Sequence, residues 1–342
     1  MPSFPCPERN RIMFESATTP AAHTTQVVRR LSAWETTGTT VTHAGNALQA
    51  MSAAGLTGWN IRKVTQTGMD VTPLGVTAVD NPDQVMLVRT DPRTNKTRYL
   101  SSVGKGYGVT QNEDQAAVLD TLVAESGAAG LAHVGSLDDG RRTFATMKLP
   151  TTMRIGGIDR VDLYLAVFDS HDGSTAFRVC AVPFRVACAN QLGLAIATTT
   201  SSVEVRHTRN SRITVADIRA KLNLIYHYAD EFEAEATRLI DTGLTTPEFR
   251  EIVETVWPVD DRTAPPRTRA NAERRRTTLL RLWTDASTQD RIRGTRWAGL
   301  QAVTEYLDHH APATTPAVRA HRVLTGSTVT RRKQQAFDLL TV

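Results

Sequence analysis

The sequence has few of the residues that build disulfide frameworks, cysteine zinc sites or membrane anchors. Its three cysteines, Cys6, Cys180 and Cys188, include no CxxC pair, so a cysteine zinc site is not expected. The chain has no apolar run of about twenty residues, which argues against a membrane span. The first thirty residues also lack the hydrophobic core of a signal peptide. We therefore expect a cytoplasmic protein with no membrane partner.

The net charge is only mildly positive, so charge alone does not identify a partner. A formal charge of +5 permits a polyanionic partner without requiring one. The distribution is more informative, because residues 261–300 contain ten arginines and four acidic residues. Arginine suits bidentate contacts with phosphate, although a coding bias towards arginine explains the same composition.

The most informative stretch runs from Asp169 to Ala197. Its middle, Ala176–Ala187, is rich in Val, Phe and Cys and predicts a buried or half-buried strand. Arg178 and Arg185 are seven positions apart in this strand, so they should face opposite sides of the sheet.

Polar residues flank this strand on both sides. Ser170–Ser174 reads as a polar turn that contains Gly173, and Asn190 begins a pair of amides where the strand ends. We predict that His171, Asp172, Arg185 and Asn190 converge in one polar cleft that binds an anion or a nucleotide.

The order of elements predicts an α+β fold. Residues 1–40 read as a mobile leader, residues 41–210 as a core domain, and residues 211–342 as a helical region with a basic tail. The core domain alternates single helices with groups of strands, including a hairpin at Asp138-Asp139-Gly140. This order favours an antiparallel sheet with helices on one face, followed by the mostly helical C-terminal region.

Two further segments are candidates for contact with nucleic acid. The glycine-rich loop at Gly104–Gly108 lacks the length and the Ser/Thr of a Walker loop, yet Lys105 and Tyr107 form a basic–aromatic pair. The run Arg274-Arg275-Arg276 supplies further positive charge. We predict that a nucleic-acid-binding surface includes the residues Lys105, Tyr107, Arg178, Arg185, Asn190, Arg274, Arg275 and Arg276.

The alternative to a binding surface is a metal-dependent enzyme that acts on nucleotides or phosphoesters. His171 and Asp172, with His207, are its candidate catalytic residues, since imidazole and carboxylate bind divalent metals. The other histidine cluster, Asp308-His309-His310, ends a predicted helix, where the helix dipole itself favours histidine. No motif with known mechanics surrounds either cluster, so we assign no metal, no cofactor and no catalytic residue.

Five strings resemble the phage/plasmid-like protein family, a domain of unknown function. They occur in order within residues 41–342: Val103–Asn112, Ser170–Ser174, Arg185–Leu192, Val205–Thr208 and Ala302–His309. The resemblance implies an origin in a mobile element and gives no activity.

A second resemblance covers residues 41–149. A helix that ends in the Gly-Trp of Ala54–Trp59, followed by strands and a second helix, is similar to the ring-forming single-strand annealing proteins. That resemblance implies a homo-oligomer that holds single-stranded DNA on a basic groove.

The sequence therefore leads us to expect a mobile-element DNA-metabolism protein that binds single-stranded nucleic acid, with strand annealing as its activity. A metal-dependent enzyme and a non-catalytic scaffold stay open as alternatives. A binding protein is favoured over an enzyme.

Overall fold

The computed structural model describes residues 30–174, 177–192, 202–205, 215–260 and 262–342. Over these residues the chain is an α+β protein with antiparallel strands in its N-terminal half and helices in its C-terminal half, which confirms the predicted fold class. The strands are β1 (Thr39–Thr40), β2 (Arg62–Thr72), β3 (Gly75–Thr90), β4 (Thr97–Gly104), β5 (Leu131–Leu137), β6 (Arg142–Ile155), β7 (Asp159–Ser170), β8 (Phe177–Arg185), β9 (Asn190–Gln191) and β10 (Ser202–Val205). The helices are α1 (Ala33–Thr37), α2 (Ala47–Ala53), α3 (Ala116–Ser126), α4 (Val215–Asp241), α5 (Thr246–Val256), α6 (Pro266–Thr284), α7 (Arg296–Glu305), α8 (Pro316–Thr325) and α9 (Ser327–Thr341).

The larger sheet has the strand order β1-β5-β6-β7-β8-β10, and β9 pairs with β8 at its far end. Buried and half-buried residues alternate along β8, as expected for a strand that is packed on both sides. Arg185 is buried, whereas Arg178 lies opposite Phe168 on the other face. The odd spacing of the two arginines therefore places them on opposite faces, as predicted.

The hairpin turn between β5 and β6 is also as predicted. Asp138, Asp139 and Gly140 all have positive φ, and Gly140 reaches +95°. A side chain at Gly140 would collide with the Trp59 ring, so glycine is required there by both backbone and packing.

The main core lies on one face of the large sheet, which we call the inner face. Leu163, Leu165 and Val167 of β7 pack there in the same cluster of buried residues as Ile225 and Phe232 of α4. This cluster continues through α5, α6, α7 and α9, so one core joins the predicted core domain to the helical region. None of the helices in the described ranges is long and apolar enough to cross a bilayer.

The opposite, outer face of the sheet bears Tyr164, Phe168 and Phe184, and it packs against a helix that the sequence did not predict. Ser32 and Glu35 form a reciprocal capping box at the start of α1. Trp34 of this helix is buried, with its ring centre 5.2 Å from that of Tyr164 and 5.9 Å from that of Phe184.

Two predictions about the chain ends need correction. Residues 30–40 are packed on the sheet rather than part of a mobile leader, because burying Trp34 stabilises their ordered conformation. Residues 1–29 lie outside the described residues. The predicted basic tail folds as α8 and α9, and α8 begins at Pro316 behind the side-chain cap of Thr315.

Candidate functional site

A cavity of about 880 Å³ lies between the outer face of the sheet and the two C-terminal helices. We call it the sheet cleft. The sheet contributes residues of β6, β7, β8 and β9, and the opposite wall comes from α8 and α9. The lining includes Trp34, Arg142, Phe168, Asp169, Arg178, Val182, Gln191, Leu324, Arg331, Lys333, Gln335 and Asp338.

The unsatisfied polar atoms of the sheet cleft are hydrogen-bond donors. Arg142 Nε, Arg178 Nε and Gln191 Nε2 are buried and have no acceptor among the described residues. Arg142 Nε has longer-range charge contacts, at 3.6 Å with Asp138 and 3.9 Å with Asp172. A buried donor without an acceptor is costly, so these three atoms favour a ligand that supplies acceptors.

Lys333 adds a buried positive charge to the same cavity. Its Nζ lies 2.5 Å from Asp308 Oδ1 and donates to the Gln191 carbonyl at 2.7 Å. Asp308 Oδ2 in turn accepts from the Gln191 backbone N–H at 2.9 Å. The ion pair with Asp308 and the hydrogen bond to Gln191 together fix Lys333 against β9.

Asp308 lies in a short π-helix, Tyr306–His310, that continues directly from α7. A π-helical turn inserts an extra residue per turn, and such turns are frequent at functional sites. Here the turn brings the Asp308 carboxylate into contact with Gln191 of β9 and Lys333 of α9. These contacts hold the two residues in place at the polar end of the sheet cleft.

Part of the wall is apolar and aromatic. Trp34, Phe168, Val182 and Leu324 line one cavity together. The Arg178 guanidinium lies 5.7 Å from the Phe168 ring centre, so one side of the ring is already covered by a cation. The sheet cleft thus presents cationic donors beside a surface on which a flat apolar group can rest.

Two carboxylates also line the sheet cleft. Asp169 accepts a hydrogen bond from Gln115, and Asp338 accepts one from Gln334 at 2.7 Å. The lining also holds four cationic side chains, of which Lys333 is paired with Asp308, and Arg142 lies near Asp138 and Asp172. The other two, Arg178 and Arg331, form no ion pair with a carboxylate of the described residues, and these two cations favour an anionic ligand.

A second cavity of about 450 Å³ adjoins the sheet cleft, and we call it the arginine pocket. Arg275 of α6 and Arg331 and Arg332 of α9 line it together with Trp257. Arg331 and Gln335, one helical turn apart, line both cavities. Because of these shared residues, positive charge continues from the sheet cleft into the arginine pocket.

Trp257 holds two of these guanidiniums in place. The Arg275 and Arg332 guanidinium carbons lie 5.5 and 5.4 Å from the indole ring centre, and the Tyr306 ring meets the indole edge-on at 5.7 Å. Burial lowers the pKa of Arg275, and repulsion from Arg332 lowers it further. Burial also lowers the pKa of Arg332, and repulsion from Arg331 adds to that effect. In both arginines burial is the main cause of the lowered pKa, and repulsion between neighbouring guanidiniums adds to it.

Only the middle residue of the predicted arginine run lines the arginine pocket. Arg274 is exposed and hydrogen bonds to Asn271 of its own helix at 2.8 Å. Arg276 pairs with Glu273 at 3.7 Å and lines a different, smaller cavity. Consecutive helical residues point about 100° apart, which explains this division.

The predicted convergence of His171, Asp172, Arg185 and Asn190 is wrong. Asn190 pairs with Arg185 across β8 and β9, but His171 follows the opposite end of β7. In the β7–β8 ladder Val161 faces Arg185 and Phe168 faces Arg178, so about 24 Å of strand separates the two ends. The four residues lie at the two ends of one apolar run, two at each end. Because that run forms an extended strand, the two pairs lie far apart.

Arg185 and Asn190 are structural residues. Arg185 Nε donates to Asp159 Oδ2 at 2.6 Å, and its Nη2 donates to the Thr288 carbonyl at 2.8 Å. Asn190 Nδ2 donates to the Gln301 side chain at 3.2 Å. Both residues are buried and fasten the sheet to the segment around α7.

His171 does not occupy an open metal site. Its Nε2 lies 2.8 Å from Asn112 Oδ1, and the residue is buried. Asp172 accepts from the Ser174 backbone N–H at 2.8 Å, which closes the predicted polar turn. Within the described ranges no three His, Cys, Asp or Glu side chains are grouped so as to hold a metal ion. His207 lies outside the described residues.

The described residues that line the sheet cleft include none from the glycine-rich loop after β4. Lys105 is exposed, and its carbonyl accepts from Lys63 Nζ at 2.6 Å. Tyr107 packs against the core, and its hydroxyl donates to the Ser170 carbonyl at 3.2 Å. Burial, with a contribution from Asp169 and Asp172, raises the pKa of Tyr107 to about 12.

Sequence reasoning missed the residues that α9 and the segment after α5 contribute. Arg331 and Arg332 were visible as part of a basic tail, but their significance depends on α9 packing beside α6. Trp257 carried no signal beyond being an aromatic residue before a proline. Gln191 is the second amide of the pair that Asn190 begins, and it is the one that lines the sheet cleft.

Comparison with known proteins places the chain in a family but gives it no activity. No curated protein and no solved structure matches the chain. A family model described as a domain of unknown function, DUF932, matches residues 99–339. That range holds most of the large sheet and both cavities, and it leaves out α1, α2 and most of the smaller β2-β3-β4 sheet. Because the match covers more than half of its length, this chain belongs to the DUF932 family.

Proposed function

We propose that this protein binds single-stranded nucleic acid in the sheet cleft. The observation that carries the proposal is a set of buried donors that have no acceptor in the described part of the chain, Arg142 Nε, Arg178 Nε and Gln191 Nε2, in a cavity that four cationic side chains line. Phosphate oxygens are strong acceptors, and guanidinium groups match their geometry.

The apolar part of the wall supports a single strand over a duplex. Phe168, Val182 and Leu324 offer a surface beside the cationic donors, and unpaired bases can rest on such a surface. In a duplex the bases are stacked and paired, so only phosphates and groove edges are presented. A sequence-tolerant single-strand site combines positive charge with base contacts in this way.

A titration by fluorescence polarisation tests the proposal with a labelled oligothymidine and with a duplex of the same length. We expect the single strand to bind more tightly than the duplex at low salt. The double variant Arg178→Gln/Arg331→Gln should bind at least tenfold more weakly, since two phosphate contacts are lost, at about 1.4 kcal/mol per tenfold.

The matched control is Arg267→Gln/Arg274→Gln, which removes the same charge from exposed positions of α6 that line neither cavity. We expect this variant to bind within about twofold of the wild type, because screened surface charge contributes little. Equal losses in the two double variants would show that only net charge matters, and would contradict a site in the sheet cleft.

The resemblances to phage/plasmid-like proteins and to annealing proteins support a role of such binding in mobile-element DNA metabolism. If the protein anneals strands, two complementary labelled oligonucleotides should pair faster in its presence than alone. The sheet-cleft double variant should lose that acceleration. Binding without acceleration would leave a single-strand binding protein that does not anneal.

A further inference from the structure

The arginine pocket gathers three cations, and none of the described residues that line it is acidic. Neither Arg275 nor Arg331 nor Arg332 forms an ion pair with any carboxylate in the part of the chain that the structure describes. Arg275 Nε is also buried and has no acceptor there. Like charges held this closely repel each other, and a buried donor without a partner adds to the cost.

The cluster is nevertheless held firmly in place. Trp257 is only 4% exposed, and the guanidiniums of Arg275 and Arg332 both contact its ring. The two arginines come from α6 and α9, which pack on the same buried tryptophan. Such positions are prepared before a ligand arrives, which lowers the entropic cost of binding an anion.

The three positive charges of the arginine pocket indicate which kind of phosphate group it would bind. A phosphodiester inside a strand carries one negative charge, which one arginine can neutralise. A phosphate monoester carries about −1.5 to −2 charge at neutral pH and has three strong acceptor oxygens. Three converging guanidiniums therefore match a monoester better than a diester.

The arginine pocket lies beside the cavity in which we propose that the nucleic acid strand binds. Arg331 and Gln335 line both cavities, so the arginine pocket adjoins the sheet cleft at these two side chains. If the sheet cleft binds a single strand, as proposed above, one end of that strand would reach the arginine pocket. In nucleic acids a monoester occurs only at a strand end.

We infer that the arginine pocket binds the terminal phosphate monoester of the single strand held in the sheet cleft. The inference rests on the proposed function, and it adds recognition of a strand end. Arg275 and Arg332, which both contact Trp257, hold the phosphate, and Arg331 contacts the strand where the two cavities adjoin.

The test compares three oligothymidines of one length, with a 5′-phosphate, with a 3′-phosphate and with neither. Their affinities for the intact protein are measured by competition against one labelled strand. We expect one of the two phosphorylated strands to bind about tenfold more tightly than the unphosphorylated strand. In Arg332→Gln that preference should disappear, while the affinity for the unphosphorylated strand stays within about twofold of the wild type.

Arg331→Gln is a second test variant, since this exposed side chain can be changed with little risk to folding. It should reduce the preference for the phosphorylated end and weaken all three strands. Arg274→Gln, on the same helix as Arg275 but outside the pocket, should keep the full preference.

The outcomes separate the two proposals. Equal binding of all three strands by the wild type would contradict the recognition of a strand end and leave single-strand binding intact. A preference that survives in both Arg332→Gln and Arg331→Gln would place the end elsewhere and also overturn the inference. Binding of none of the strands would contradict the proposed function, and this inference with it.

Discussion

Arg185 and Asp159 form a buried ion pair, with Nε and Oδ2 2.6 Å apart. The same carboxylate oxygen accepts the indole N–H of Trp297 at 2.6 Å. The pair thereby joins the end of β8 to the start of β7 and to α7. Arg178, seven residues earlier on the same strand, lines the sheet cleft instead. Two arginines of one strand thus have different roles because they lie on opposite faces of the sheet.

This difference predicts opposite results for two equivalent substitutions. Arg185→Leu leaves Asp159 buried without its cation, so the free energy of unfolding should fall by about 3–5 kcal/mol. Arg178→Leu should cost less than about 1 kcal/mol, because its Nε has no protein acceptor to lose in the described residues. Urea denaturation followed by circular dichroism measures both. A larger loss in Arg178→Leu would contradict these assignments.

The lowered pKa of Glu305 leads us to expect that the free energy of unfolding falls in acid. Burial alone would raise the pKa of Glu305, but hydrogen bonds that involve His310, Thr288 and Arg30 outweigh burial and lower the pKa to about 2. A carboxyl group whose pKa is lowered by folding stabilises the protein above its unfolded pKa, about 4.5, and loses that contribution as pH falls towards 2. The shift corresponds to about 3 kcal/mol.

The measurement is the unfolding free energy of the wild type and of Glu305→Gln between pH 7 and pH 2. The variant cannot titrate at this position, so the gap between the two proteins should shrink by about 3 kcal/mol as the pH falls. Subtracting the variant removes the contribution of all other carboxylates. A gap that stays constant with pH would show that Glu305 is not the group responsible.

Tyr107 should matter for folding and not for binding nucleic acid. Its ring packs on the core and its hydroxyl donates to Ser170, so Tyr107→Ala should lower the melting temperature. The affinity for a single strand should stay within about twofold of the wild type. If the ring instead stacked on a base, polarisation titrations would show a loss of about 1–3 kcal/mol.

Much of the fold was predictable because its signals are local. The turn at Asp138–Gly140 specifies a hairpin by its own residues, and the apolar run at Phe177–Arg185 specifies a strand. The placement of Arg178 and Arg185 on opposite faces of the sheet also follows from the sequence, because they are an odd number of residues apart in one strand. Helix α1 was missed because a five-residue helix gives no periodic pattern, and only burial of Trp34 on the sheet explains it.

The candidate site was less predictable because it depends on contacts between distant segments. The sheet cleft joins β8 to α9, and the arginine pocket joins α6 to α9. The sequence identified Arg178 and Arg275 as cations for nucleic acid without showing that Arg331 lies between them. It also grouped His171 with Arg185, since proximity along the chain does not reveal which end of a strand each residue occupies.

The dependence of single-strand affinity on salt reports how many phosphates the protein contacts. Each phosphate contact contributes about −0.7 to the slope of log Kobs against log salt concentration for a single strand. The account predicts that Arg178→Gln/Arg331→Gln flattens the wild-type slope by about 1.4, while Arg267→Gln/Arg274→Gln leaves it unchanged. Equal slopes in all three proteins, or no binding by the wild type at low salt, would contradict a nucleic-acid site in the sheet cleft.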